Sequence, residues 1–229
     1  MARRPAAAVY AQVDPIVLHD LETGDAARLR AGGVLDGLRF DSIELGDDDL
    51  TGASLLDCEL VDVRAHGTRL QGSSLAEVII ERLDAPVLHA ARSRWRGVSI
   101  ADSRVGSLDV AGAVWHSVLV RGCKLGYVNL RGADMTNVRF EDCVIDELDL
   151  ATATLSRVGF AGTRIATLDL SGARLDAVDL RGADLSRITS LAGLAGTTMT
   201  EEQVQALAAS FAAHLGIGID VDPGPGDSA

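Results

Sequence analysis

Leu125-Gly126-Tyr127-Val128-Asn129-Leu130-Arg131-Gly132-Ala133-Asp134-Met135-Thr136-Asn137-Val138-Arg139-Phe140 sets a large apolar side chain at every fifth position: Leu125, Leu130, Met135 and Phe140. The same register runs back to Phe40 and on to Leu185 without a slip, through Trp95, Trp115, Ile145 and Phe160, with Ala65, Ala85 and Ala90 as its smallest members. Residues numbered in 3 or 8 form a second series of mostly small or β-branched side chains, such as Ala53, Cys58, Val78, Val98, Ala113 and Val138. Five matches neither the 3.6-residue period of a helix nor the two-residue period of a strand. The stretch 36–190 therefore reads as internal repetition.

A longer period of twenty lies inside the first. One column of the small series reads Ala53, Ser73, Ser93, Ala113, Ala133, Ala153, Ala173; another reads Cys58, Val78, Val98, Val118, Val138, Val158, Val178. Residues twenty apart share an environment, which implies a coil of four five-residue sides with each coil stacked on the last. Glycine recurs just after the large residue at Gly52, Gly72, Gly112, Gly132, Gly172 and Gly182, where a corner calls for positive φ. About eight coils at a strand spacing of ~4.8 Å make a column of roughly 40 Å, and each exposed end needs a cap.

The units Asn129-Leu130-Arg131-Gly132-Ala133-Asp134-Met135 and Asp179-Leu180-Arg181-Gly182-Ala183-Asp184-Leu185 resemble those of pentapeptide-repeat proteins. The resemblance implies an all-β solenoid: a right-handed quadrilateral parallel β-helix. It covers about two-thirds of the chain and is weakest over 85–96. There Pro86, His89, Arg92, Arg94 and Arg96 keep the spacing but not the pattern, and a kink or altered corner is expected. The quinolone-resistance members of that family inhibit DNA gyrase by mimicking DNA and dimerise through their C-terminal ends. The resemblance carries both as expectations here.

The expected organisation is an N-terminal tail and cap over 1–35, the β-helix over 36–190, a C-terminal helix and short strand over 191–222, and a flexible tail over 223–229. Residues 1–11 are expected to be disordered, and Arg3-Arg4 is followed by no continuous apolar run of the kind a signal peptide needs. A short helix is predicted over Thr23–Ala31, capped by Thr23 or Asp25, laying Leu29, Leu18, Leu21 and Val34 on the first coil. A longer one is predicted over Thr198–Leu215, with Thr200 and Gln203 at capping-box spacing. Its stripe of Val204, Leu207, Ala208, Phe211 and Leu215 is assigned to capping the last coil and to homodimerisation. Gly216 ends it, and Ile217, Ile219 and Val221 alternate as a short extended segment.

Side-chain chemistry argues against an enzyme. Cys58, Cys123 and Cys143 fall in the inward series. Cys123 and Cys143 lie one coil apart, about 5 Å, which is disulfide range, but two buried thiols of a cytoplasmic protein read first as space-filling. No Cys or His spacing suits zinc. The five histidines have no nucleophile and carboxylate at hand, and no phosphate-binding glycine loop is present. Trp95 and Trp115 are placed facing inward. No catalytic residue, cofactor or metal is expected, and no stretch approaches the 18 apolar residues of a membrane span.

Charge is what remains to suggest a partner. The formal net charge of −12 argues against direct nucleic-acid binding. The position before one large series reads Asp49, Arg69, His89, Asp109, Asn129, Asp149, Asp169, with Asp146 and Glu147 at the neighbouring corner. Asp109, Asp146, Glu147, Asp149 and Asp169 are the candidate partner-binding ladder. An acidic rod of this kind can sit where DNA phosphates would lie, and the resemblance implies DNA gyrase as the partner. The alternative is a structural repeat module whose solvated charges only keep a rod soluble. A continuous acidic face favours the mimic; a charge-mixed surface favours a scaffold with another protein partner.

Overall fold

The computed structural model describes residues 11–219. Within it the period of twenty becomes a parallel β-solenoid. Strands Ser54–Val61, Ser74–Glu81, Arg94–Ala101, Val114–Arg121, Asp134–Glu141 and Thr154–Ala161 pair in order, each with the strand twenty residues on. Leu55 lies beside Leu75, Leu75 beside Trp95, and Trp95 beside Trp115. Six-residue strands from Arg64–Arg69 to Arg164–Asp169 stack in the same way. The result is an eleven-stranded and an eight-stranded sheet wrapped around one interior. We number the four faces by their inward residues: face 1 holds Leu55 and its equivalents, face 2 Leu60, face 3 Ala65 and face 4 Leu70. The longer strands cover faces 1 and 2, and the shorter ones faces 3 and 4.

The chain turns between faces with one left-handed residue at three of the four corners. Glycine is the expected occupant, yet Asp62, Arg82, Asp102 and Asp142 take the same conformation as Gly122 and Gly162 in one corner column, and Arg92 and Thr152 the same as Gly112 and Gly132 in another. The corner between faces 3 and 4 turns without it except at Gly67, with φ of 86°. That exception marks the irregularity in the column. Pairing of Arg64–Arg69 with Asp84–His89 shifts register on both sides of His66, where Pro86 in the second strand has no N–H to give. The disturbance expected over 85–96 thus falls between that stretch and the preceding coil. The strand Arg94–Ala101 is regular.

The interior is a stack of four-residue layers, and their volumes are balanced. Trp95 and Trp115 face inward, 2% and 1% exposed, and stack with centroids 4.7 Å apart. Most other inward members of those two coils are smaller: Ala85 and Ala90 beside Ile100 with Trp95, then Val105, Val110 and Val120 with Trp115. Phe140 and Phe160 continue the aromatic stack at 5.1 Å. Where no aromatic is present, between Leu45 and Leu88, an apolar cavity of about 40 Å³ remains, lined by leucines with Val63, Ala65, Thr68 and Ile80.

Both caps are smaller than the sequence suggests. At the N-terminus Glu22–Thr23 pairs with Leu38–Arg39 as a strand, so Thr23 cannot start a helix. Only a 3₁₀ turn forms, at Ala26–Arg28, its end closed by the Asp25 carboxylate accepting from the Ala27 N–H at 2.9 Å. Leu29 is buried as predicted. Val34 is not: it is 72% exposed, because the strand Val34–Asp36 points Leu35 inward instead. At the C-terminus the single predicted helix is two, α1 (Glu201–Ala206) and α2 (Ala208–His214), interrupted at Leu207. Thr200 and Gln203 form the capping box, and Gln203 Nε2 also donates to the carbonyls of Leu180 (2.7 Å) and Ala183 (2.8 Å), joining α1 to the last coil. Gly216, at φ 71°, closes α2 with Gly216 N–H to Ala213 O and Ile217 N–H to Ala212 O. Ile217–Ile219 joins no strand. Val221 and the 223–229 tail lie outside the described residues, as does the disorder expected before Ala11.

Candidate functional site

The ladder residues lie along the edge between faces 3 and 4, but they do not form one surface. Asp109, Asn129, Asp149 and Asp169 are register partners in successive coils. Each folds its side chain back to accept from the backbone N–H two residues on: Asp109 from Ala111 (3.3 Å), Asn129 from Arg131 (3.2 Å), Asp149 from Ala151 (3.0 Å), Asp169 from Ser171 (2.8 Å). Asp49 does the same with Thr51 and, on face 2, Asp179 with Arg181. These are Asx turns that close the corners. An Asp at this position is thus first a device for turning the chain.

Neighbours then occupy much of the remaining charge. Asn129 Nδ2 donates to Asp109 at 2.9 Å. Asp149, 6% exposed, takes the Arg131 guanidinium at 2.7 Å and the Tyr127 hydroxyl at 3.4 Å. The Tyr127 phenol is pushed up by burial and by the adjacent Asp149 charge. Hydrogen bonds from Ser171 hold the Asp169 carboxyl below the usual range. Beside the engaged carboxylates of these coils, Asp146 and Glu147 are exposed, as Asp47 and Asp48 are at the same edge of the first coil. Elsewhere the outward charges pair across coils, as in Arg39–Glu59, Arg64–Glu44, Arg82–Asp62 and Arg164–Asp184. The surface is charge-mixed.

Of the four residues assigned to capping and dimerisation, Phe211 packs on the core and Leu207 is half-buried, whereas Val204 and Leu215 are 46% and 71% exposed. With Ile217 and Ile219, each 57% exposed, they leave an apolar rim at the C-terminal end. The three cysteines are free and buried. Each thiol donates to a backbone carbonyl, Cys123 to Arg121 at 3.3 Å and Cys143 to Glu141 at 3.2 Å, and the Cys143 thiol is pushed up by its contact with Cys123 and by burial. Among the described residues no group of His, Cys, Asp and Glu has metal-binding geometry. Arg92, Arg94 and Arg96 are exposed on face 1, and Arg96 approaches Glu77 at 3.7 Å. No described helix is long and apolar enough to cross a membrane.

Sequence reasoning missed one element. Residues 11–21 run along the outside of face 2: Glu22 pairs with Leu38 in the first coil, while Ala11 lies beside Arg139, Gly159 and Asp179, five to seven coils away. The signal was available as the apolar residues Ala11, Val13, Ile16, Leu18 and Leu21 with Gln12, Asp14, His19 and Asp20 among them, and as Val61, Ile79, Ala101 and Leu119 at outward positions of the repeat.

Comparison with known proteins follows the repeat. The family model for pentapeptide repeats matches residues 120–147 and 153–189 in eight copies. Solved structures similar to this chain include full-length QnrB1, a plasmid-mediated fluoroquinolone resistance protein, at 18% identity over 83% of this chain and 94% of that one, with a TM-score of 0.34. Another is HetL, a pentapeptide repeat protein involved in heterocyst differentiation regulation from the cyanobacterium Nostoc, at 20% identity over 77% of this chain and 94% of that one, TM-score 0.20. No curated protein matches by sequence. The matched residues lie in the column that begins at Leu35, and over 120–147 and 153–189 the chain is built of pentapeptide repeats.

Proposed function

We propose that this protein is a non-enzymatic, cytoplasmic scaffold that binds another protein through the outer surface of its column, and that it forms a homodimer through the C-terminal end. The observation that carries the first part is the division of the edge between faces 3 and 4. Its inner carboxylates are consumed in turning corners, while Asp146 and Glu147 stand free beside them. The apolar rim of Val204, Leu215, Ile217 and Ile219 supports the second. The narrower version is inhibition or protection of a type II topoisomerase, DNA gyrase, by DNA mimicry. It draws on the resemblance to gyrase-inhibiting pentapeptide proteins and on the exposed carboxylates. The cross-coil ion pairs favour the broader scaffold, because a paired surface offers a phosphate-binding groove fewer free negative charges.

The test is gyrase supercoiling with increasing purified protein, beside a variant carrying Asp146→Asn and Glu147→Gln. Inhibition at micromolar protein, lost in the variant, is the outcome of the narrow version. No effect of the parent chain removes the topoisomerase and leaves a scaffold with a different protein partner. The dimer is tested by sedimentation, where Leu215→Asp with Ile217→Asp is expected to give a monomer.

A further inference from the structure

Face 2 departs from the repeat on its outer side. An outward position in such a column is expected to be polar, yet Val61 and Ala101 there are 3% and 7% exposed, and Ile79 and Leu119, each one coil further on, are half-buried. Three carboxylates of this face are shielded too, although Asp41 and Glu81 keep 49% and 42% of their side chains exposed. Glu59, Glu141 and Asp179 side chains are 19%, 17% and 19% exposed, against 75% for Glu44 and 66% for Asp184 on face 3. What covers face 2 is the chain's own N-terminal segment. Eleven residues in extended form reach at most ~40 Å. Five to seven coils at ~4.8 Å span ~24–34 Å, so residues 11–21 traverse the face nearly stretched.

The attachment is of a particular kind. No backbone hydrogen bond ties residues 11–21 to the column among the described residues. Half-buried Val13, Ile16, Leu18 and Leu21 hold it by their side chains, with Asp14, Val17, His19 and Asp20 turned to solvent. The column beneath is closed by its own coil-to-coil ladder and uses none of these residues for its strands.

We propose that face 2 is a peptide-docking groove whose occupant is this chain's own segment Ala11–Leu21, a strap that lifts without unfolding the column. Local opening is expected where backbone hydrogen bonds are few and apolar contacts are thin. The lifted state uncovers the apolar line from Val61 to Leu119.

The experiment keeps the full chain. Val13→Asp, Ile16→Asp and Leu18→Asp are introduced together to release the strap, and a fluorescein-labelled synthetic peptide of residues 11–21 is titrated into this variant and into the native chain, followed by anisotropy. A second peptide carries the same three substitutions. The proposal expects saturable binding of the unsubstituted peptide to the variant, at least about tenfold tighter than to the native chain, whose tethered strap competes at high effective concentration. It expects no binding of the substituted peptide, and circular dichroism and melting of the variant column like those of the parent. Equal binding to both chains, or none to a folded variant, overturns it. Loss of the column in the variant overturns separability, and self-association of the variant in place of peptide binding would make a second copy the occupant.

Discussion

Removing one ring from the interior should be costly, and restoring volume elsewhere in the same layer should recover part of the cost. Trp95 is 2% exposed, stacks on Trp115 at 4.7 Å, and shares its layer with Ala85 and Ala90. Trp95→Leu removes a ring contact of about 0.5–1.5 kcal/mol and leaves a void, which together with the lost transfer energy puts the change at about 2–4 kcal/mol, near the lower end of large-to-small core substitutions. Ala90→Leu in the parent forces a larger side chain against Trp95 and should cost about 1–3 kcal/mol by overpacking. Combined, the two substitutions rebuild the layer seen one coil earlier, which holds Leu70 and Leu75. The double variant should therefore be more stable than either single change predicts, with a coupling of about 2 kcal/mol or more in a double-mutant cycle. Urea unfolding followed by circular dichroism measures it. Additive costs would refute the reasoning, because they would mean that the two positions do not share a layer.

Other substitutions probe the corners and the cap. Thr152 is a β-branched residue at φ 60° in a column otherwise held by glycines and Arg92; Thr152→Gly should stabilise by about 0.5–1 kcal/mol and raise the melting temperature by about 1–4 °C. Gly126→Ala should destabilise by about 1–3 kcal/mol in the same unfolding assay, since its Cβ would clash with the Gly106 carbonyl oxygen and backbone cannot swing aside. Gln203→Ala removes half of the capping box and both bonds to the last coil, so α1 should fray first, with an overall cost of about 1–2 kcal/mol and faster amide exchange confined to the C-terminal cap. Acid should act through the turn and ion-pair carboxylates. Hydrogen bonds from Ser171 lower Asp169, those from Thr51 lower Asp49, and the bonded Arg82 guanidinium lowers Asp62. A depressed carboxylate contributes stability above its unfolded value of about 3.9 and loses it as pH falls through the folded one, so melting temperature should hold from pH 7 to 5 and drop below about pH 4.

The column was legible because its interior admits one kind of side chain at one spacing. Each fifth residue must face inward whatever its neighbours do, so the register from Leu35 to Leu185 survives the change from leucine to tryptophan and back. The layer balance was legible in principle too: Ala85 and Ala90 precede the first tryptophan, and their small size belongs with that ring. The ladder misled for a physical reason. Sequence order places Asp109, Asp149 and Asp169 in one file, but a carboxylate two residues before a turning N–H bonds to it, and the charge is engaged in a way that residue order does not express. Val34 and Leu35 show how far one residue of alternation matters at an end: Leu35 already stands on the five-residue mark and faces inward, so Val34 beside it faces out. The strap over face 2 escaped because it obeys no repeat, and its apolar residues read as cap or tail until the covered face is seen.

The division of the acidic edge into architecture and free surface is the account's central claim, and thermal unfolding of two variants tests it directly. Asp149→Ala loses the contacts from Arg131 and Tyr127 and leaves the buried Ala151 N–H without its turn acceptor, so it should cost about 1–3 kcal/mol. Asp146→Asn with Glu147→Gln touches only solvated groups and should stay within about 0.5 kcal/mol of the parent. A neutral Asp149→Ala, or a destabilising change at Asp146 and Glu147, would contradict the claim and return the buried carboxylates to the candidate binding surface.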